Sequence, residues 1–331
     1  MPANLSPEYK EAQEAFRRAR DPQERLEHLR EMLRTMPKHK GTEHLQAEIR
    51  TRIKELTEEL AAPKRAGVRT GPPLSVRPEG AAQVALLGPP NVGKSLLHAR
   101  LTGSHAVVGP YPFATKFPLP GMLPFQDIHI QLVDLPPISA DFMEPWMVNA
   151  LQHADGSLLV VDLGDPACVE QVAGIRRRLE EKRVHLLRSG GANEEEPLDL
   201  QLATALVANR SDLLTDPRGE LEVFRQLAGI SFPVLAVSAE TGQGLGEIGP
   251  LLFEMLGIVR VYPKLPGHPP DKSRPFTLRR RDTVREVARL IHRGRAEELK
   301  YARLWGSARF DGEQVSASHP LQDGDIVELH W

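Results

Sequence analysis

The stretch Gly88-Pro89-Pro90-Asn91-Val92-Gly93-Lys94-Ser95 constrains this chain more than any other. A glycine, four residues, then Gly-Lys-Ser is the spacing of a phosphate-binding P-loop. The apolar run Val84-Ala85-Leu86-Leu87 before it reads as a buried strand, and residues 95–101 after it read as a helix. In such a unit glycine lets the backbone turn sharply, so consecutive N–H groups line one concave nest. The helix N-terminus adds partial positive charge, and a phosphate chain fits there. Gly88, Pro89, Pro90, Asn91, Val92, Gly93, Lys94, Ser95 and Leu96 are therefore candidate ligand-binding residues. Lys94 is placed to reach the outer phosphates and Ser95 to hold Mg²⁺.

Composition sets the bounds. A chain of 331 residues suits about two or three domains. The formal net charge of -2 is close to neutral, so any charged partner must be read from local patches. The single cysteine, Cys168, excludes an intramolecular disulfide and reads as a small buried side chain. No apolar stretch approaches the roughly 20 residues that span a bilayer. The start, Met1-Pro2-Ala3-Asn4-Leu5, lacks the charged and then apolar pattern of a secretory signal. A reduced, cytoplasmic setting is expected.

Four regions follow from pattern. Residues 1–65 read as helical. Asp21 and Pro22 start one helix, with Leu26, Leu29, Leu33 and Met36 on one face. After a break at 37–41, Thr42 starts a second, lined by Leu45, Ile49, Ile53, Leu56 and Leu60. A helical hairpin is expected, its polar faces either solvated or docked on RNA or a protein partner. Residues 66–80, rich in Pro, Gly and Arg, read as a linker. Residues 81–258 alternate strand and helix patterns, which predicts an α/β domain with a largely parallel sheet. Its strand candidates are 83–87, 128–133, 157–162, 204–208 and 234–237, and 187–200 reads as a mobile surface loop. Residues 259–331 read as a small α+β module. It has strands at 275–279, 300–305 and 326–330, and a helix over 283–292 capped by Asp282.

More motifs fall at strand ends downstream of the P-loop. Asp134 follows the strand at 128–133, where a carboxylate can orient Mg²⁺, often through water. Asn209-Arg210-Ser211-Asp212 follows the strand at 204–208 and resembles the Asn-Lys-x-Asp motif of GTPases. Asp212 can accept two hydrogen bonds from the guanine N1 and N2 edge, a pair that adenine does not offer. A polar site left unpaired by the wrong base discriminates by on the order of 10⁴-fold. Arg210 stands where lysine is usual, and its stem can still cover one face of the base. Ser238-Ala239-Glu240 follows the strand at 234–237, where GTPases present a backbone N–H to guanine O6. Thr115 lies between the P-loop and Asp134, where a switch hydroxyl would complete the Mg²⁺ shell.

Taken together, 88–95, 111–115, 134–136, 209–212 and 238–240 resemble the Obg–HflX superfamily of translation-linked GTPases. Within it the chain looks most like the developmentally regulated GTP-binding (DRG) proteins. Three stretches carry that resemblance. Lys38-His39-Lys40-Gly41-Thr42-Glu43-His44-Leu45 is similar to the family's N-terminal helical segment. Val261-Tyr262-Pro263-Lys264 is similar to the approach to a TGS domain, and 299–307 to a TGS core strand. The resemblance implies a P-loop GTPase fold, an N-terminal helical hairpin and a C-terminal ubiquitin-like β-grasp TGS domain. It also implies GTP and GDP as ligands, Mg²⁺ as cofactor, and work on the ribosome or RNA.

Departures from the family bear on mechanism. The distance from Asp134 to Asn209 suits an ordinary GTPase core, without the extra domain that the DRG proteins insert there. Asp134-Leu135-Pro136-Pro137 has proline where the family's Asp-x-Pro-Gly has glycine, and the glycine-rich switch II is replaced by 138–142. Proline has no N–H with which to sense a γ-phosphate. Ile138 stands where Ras-like enzymes keep a water-orienting glutamine. Asn91 matches the position that helps hold K⁺ in potassium-dependent relatives. Catalysis is thus assigned to Asn91, Lys94 and Thr115, with slow intrinsic hydrolysis and K⁺ or the ribosome as candidate stimulants. A nucleotide-bound binding module or signalling scaffold with negligible hydrolysis is the alternative.

Arg274, Arg279, Arg280, Arg281, Arg285, Arg289, Arg293 and Arg295 form the clearest basic patch. Arg285, Arg289 and Arg293 are four apart and share a helix face, which suits salt-sensitive phosphate contacts with ribosome or RNA. Trp305 and Trp331 read as packing residues. The histidines lack zinc-ligand spacing.

Overall fold

A computed structural model describes residues 6–19, 21–37, 42–61, 74–104, 116–189 and 198–331. The chain divides into two compact units.

The first unit holds helices α1 (Pro7–Arg18), α2 (Pro22–Thr35) and α3 (Glu43–Ala61), together with 183–185 and 198–201. The expected hairpin, α2 and α3, is thus preceded by a separate helix. Ser6 caps α1 by accepting the Tyr9 N–H at 3.1 Å. Asp21 caps α2 by accepting those of Gln23 and Glu24. Tyr9, Phe16, Leu29, Met32 and Ile49 form its buried core, which Leu198 joins from far along the chain. The neighbouring Asp199 carboxylate is held by His185 at 3.0 Å and Arg52 at 3.3 Å.

The second unit opens with β1 (Ala82–Leu87), α4 (Lys94–Thr102), β2 (Leu119–Phe125), β3 (Ile128–Asp134), α5 (Met147–Gln152), β4 (Gly156–Asp162) and α6 (Cys168–Glu180). Strands β5 (Val184–Leu187) and β6 (Leu200–Asn209), whose residues 184–185 and 200–201 fall in the first unit, helix α7 (Pro217–Ala228), strand β7 (Val234–Ala236) and helix α8 (Ile248–Met255) follow. Strands pair in the order β2-β3-β1-β4-β6-β5, with β7 on β6. The pairs β3–β1, β1–β4, β4–β6 and β6–β7 are parallel, so their carboxyl ends share one edge of the sheet. That edge is where ligands bind in open α/β sheets. Two strands of this sheet escape the sequence reading. Strand β2 carries Pro120, Gly121 and Pro124, which an edge position tolerates because no neighbour needs the missing N–H. Strand β5 is a four-residue piece that begins just before the expected loop. Most of that loop lies outside the described residues.

The C-terminal sheet comprises β8 (Ile258–Pro263), β9 (Phe276–Arg279), β10 (Tyr301–Trp305), β11 (Glu313–Val315) and β12 (Asp325–His330), with helix α9 (Val284–Ile291) between β9 and β10. The order is β11-β10-β12-β8-β9, with β8 and β12 parallel. Val284 and Val287 of α9 pack on Val259, Val261, Leu278, Leu304 and Val327, which is the β-grasp arrangement. Thr283, not Asp282, is the N-cap: the Glu286 carboxylate takes the Thr283 N–H at 2.8 Å in a capping box. Asp282 instead accepts the Arg279 N–H at 2.8 Å.

Two polar clamps join the sheets of this unit. Arg260 and Tyr262 donate to the Asp127 carboxylate, in the β2–β3 turn, at 2.8 and 2.6 Å. Burial of Asp127 would raise its pKa, but these hydrogen bonds hold it below the usual carboxylate range. Arg279 donates to the Ala81 carbonyl at 3.1 Å and to Asp155 at 2.9 Å. No described helix is long and apolar enough to cross a membrane.

Candidate nucleotide-binding site

The loop between β1 and α4 turns on close approaches that only glycine permits. A Cβ on Gly88 would lie 2.3 Å from the Val160 carbonyl, and one on Gly93 2.4 Å from Asn209 Nδ2. Gly93 is left-handed, at φ 84°, and is the N-cap of α4. Asn91 is left-handed too, at φ 64°.

Lys94 is the first residue of that helix and is buried. Its ammonium donates to the carbonyls of Gly88 and Pro89 at 3.3 and 3.2 Å, curling back over the loop. Burial pushes its pKa down to about 8, against the opposing pull of the Asp134 carboxylate. Ser95 Oγ donates to Asp134 Oδ2 at 2.6 Å, so a hydroxyl and a fully buried carboxylate stand together at the foot of the loop. A hydroxyl beside a carboxylate is a hard-oxygen donor set that fits Mg²⁺, which takes few protein ligands and keeps several waters. Behind it His98 is fully buried, with Nε2 on the Leu132 carbonyl at 3.2 Å and Nδ1 on Ser104 Oγ at 3.1 Å. The carbonyl can only accept, so Nε2 carries the proton. Burial lowers the His98 pKa and keeps the ring neutral.

After Asp134 the chain stays packed down. Leu135 and Ile138 are buried, and Ile138 donates its N–H to the Gly88 carbonyl at 3.1 Å. Pro137, with no N–H, is buried between them.

Asn209 ends β6 and is buried. Its Nδ2 donates to the Val92 carbonyl at 2.8 Å, and its Oδ1 accepts the Ala239 N–H at 2.9 Å. One amide thus ties the P-loop to the Ser238-Ala239-Glu240 turn, with one N–H and one lone pair left over. Ser238 folds that turn by accepting the Thr241 N–H on Oγ at 3.1 Å. The Glu240 carbonyl takes Arg100 Nη2 at 3.1 Å. Arg210 donates to Asp162, at the end of β4, and to the Asn91 carbonyl. Asp212 is exposed on the short turn Ser211–Leu213.

The sheet edge therefore gathers 88–96, Asp134, Asn209, Arg210 and 238–240. Thr115 lies outside the described residues. Sequence reasoning missed Asp162, whose only signal was its place at a strand end. The arginine cluster expected as one basic patch is partly engaged within the fold. Arg279 is spent on Ala81 and Asp155, and Arg280 pairs with Glu254 at 2.6 Å. Arg285 and Arg289 remain exposed on α9, although Arg289 lies 3.6 Å from Glu286.

Comparison with known proteins adds to this geometry. Residues 83–196 match the family described as 50S ribosome-binding GTPase, and residues 259–330 match the TGS domain. GTP-binding protein 1 of Schizosaccharomyces pombe is 27% identical over 92% of this chain and 98% of its own length. Developmentally-regulated G-protein 2 of Arabidopsis thaliana is 27% identical over 90% of this chain and 88% of its own. An uncharacterized GTP-binding protein of Methanocaldococcus jannaschii is 26% identical over 93% of this chain and 92% of its own. That alignment runs over 363 residues, more than the 331 of this chain, so it spans residues that this chain lacks. Among solved structures, the G domain of the T. maritima FeoB iron transporter is 24% identical, with a TM-score of 0.36, covering 53% of this chain and 98% of that one.

Proposed function

This chain is a DRG-like GTPase with a C-terminal TGS domain, and we propose that it is a slow, Mg²⁺-dependent GTP hydrolase acting in the cytoplasm on the ribosome or RNA. The observation that carries the reading is the convergence of the P-loop, the Ser95–Asp134 pair and the Asn209 clip at one sheet edge. Lys94 grips the outer phosphates, and Asn91 holds K⁺ beside them. Ser95 and Thr115 ligate Mg²⁺, and Asp134 supports it. Asn209 and Asp212 select guanine, Arg210 covers one face of the base, and Ser238, Ala239 and Glu240 close the pocket. The exposed Arg285 and Arg289 supply phosphate contacts from the TGS domain.

The slow rate has its own support. Pro137 offers no N–H to a γ-phosphate, and the next N–H, that of Ile138, is already given to the Gly88 carbonyl at 3.1 Å. The side chain at 138 is apolar, so it orients no water. The same contacts favour a second reading, a nucleotide-bound binding module with negligible turnover.

Phosphate release under multiple turnover, in K⁺ and in Na⁺ and with and without ribosomes, tests both. Low basal release raised by K⁺ or by ribosomes is the expected result. Rapid turnover in Na⁺ alone contradicts the slow rate, and bound GTP without release under any condition favours the binding module.

A further inference from the structure

Arg210 makes two contacts that the Asn-Lys-x-Asp pattern alone does not suggest. Its Nη1 donates to Asp162 Oδ2 at 2.7 Å and its Nη2 to the Asn91 carbonyl at 2.9 Å. The Asp162 carboxylate is itself steered, because its Oδ1 accepts the Gly164 N–H at 2.9 Å. The Asp162 side chain is 14% exposed, so the pair is sheltered on one side although Arg210 is 46% exposed.

Backbone conformation gives a second observation. Asn91 and Arg210 are both left-handed, at φ 64° and 61°, and they are bonded to each other. Non-glycine residues hold that conformation at a free-energy cost, and such strain persists where the surroundings over-determine it. Here the bond between them and the anchor on Asp162 do so. Arginine is suited to this bridge because its planar fork reaches two acceptors at once, whereas a lysine ammonium is a point charge on a flexible stem.

We propose that Asp162 is a positioning residue of the nucleotide site: it fixes the Arg210 guanidinium between the P-loop and the base-recognition turn, and so slows nucleotide release. The proposal rests on the reading of 88–95 and 209–212 as a guanine-nucleotide site. Asp162 acts through Arg210 and touches no nucleotide atom itself. Its effect must therefore vanish when residue 210 can no longer bridge.

The test is the release rate of N-methylanthraniloyl-GDP from the full chain, measured for Asp162→Ala, Arg210→Lys and the double variant. Each single change should speed release about 3- to 10-fold, and the double variant should be no faster than the faster single. Asp162→Asn keeps the side-chain shape and should behave as Asp162→Ala does, which guards against a folding defect. The affinity ratio of GDP to IDP should stay constant, because Asp212 and not Arg210 reads the 2-amino group. Release unchanged in both Asp162 variants, or rates that multiply in the double variant, would overturn the proposal while leaving the guanine site intact. A wild-type chain that does not bind the probe overturns the guanine site, and the proposal with it.

Discussion

Asn209 Nδ2 donates to the carbonyl of Val92 at 2.8 Å, so the residue that opens the base-recognition motif also closes the P-loop. The other end of the amide accepts the Ala239 N–H at 2.9 Å. Three loops from three strand ends are therefore held by one buried side chain. Asn209→Ala would leave a buried carbonyl and a buried N–H without these partners, at a cost of about 1–3 kcal/mol each. The expected outcome is a chain less stable by about 2–6 kcal/mol in urea unfolding, with guanine-nucleotide binding lost as well. A loss under about 0.5 kcal/mol would show that the clip is dispensable.

Lys94 sets a pH dependence. Its pKa in the free site is depressed to about 8 by burial, whereas an unfolded lysine titrates near 10.5. Between these values the free site holds a neutral amine. Phosphate contact favours the ammonium, so nucleotide binding there takes up a proton. Calorimetry in buffers of different ionisation enthalpy should show almost no uptake at about pH 7 and close to one proton at about pH 9. For folding the sign follows from the same shift: the unfolded chain binds the extra proton in that window, so this residue's contribution to stability rises with pH there. Proton release on binding at the higher pH would contradict the assignment.

The clamp at Arg279 ties the C-terminal sheet to the GTPase domain, through Ala81 at 3.1 Å and Asp155 at 2.9 Å. Arg279→Ala should destabilise the chain by about 1–3 kcal/mol. Amide exchange should quicken in 276–279 and around Ala81, while the α9 amides keep their protection. Unchanged exchange at both ends of the clamp would show that the contact contributes nothing.

Arg285 and Arg289 test the nucleic-acid reading. If they contact phosphates, replacing both by glutamate should weaken ribosome or RNA binding and flatten its salt dependence by about one unit of slope per lost contact. Arg280→Glu, which lies off the α9 face that carries Arg285 and Arg289, should do less. Binding that ignores salt and both changes would point to a protein partner for the TGS domain.

Much of this was legible in sequence, for a physical reason. The P-loop and the motifs at Asp134, Asn209 and Ser238 each sit at a strand end, and apolar runs announce parallel strands. Strand β2 was hidden because Pro120 and Pro124 argue against a strand unless it is known to lie at an edge. The position of Asp162 gave no hint of its partner 48 residues on. The arginine cluster misled in the same way: Ala81 lies 198 residues before Arg279, and only the folded chain brings them together. Caps and local periodicity are written in neighbouring residues, whereas clamps between distant elements are not.

The central claim is that this site selects guanine through Asp212. An asparagine at that position offers a donor N–H, which suits the carbonyl that xanthine carries in place of the guanine 2-amino group. Calorimetric titration of the wild-type chain and of Asp212→Asn with GDP, XDP and ADP tests it directly. The wild type should prefer GDP to both rivals by about 100-fold or more, and the variant should shift its preference to XDP. A wild type that binds ADP as tightly as GDP, or a variant whose preference does not move, would contradict the account.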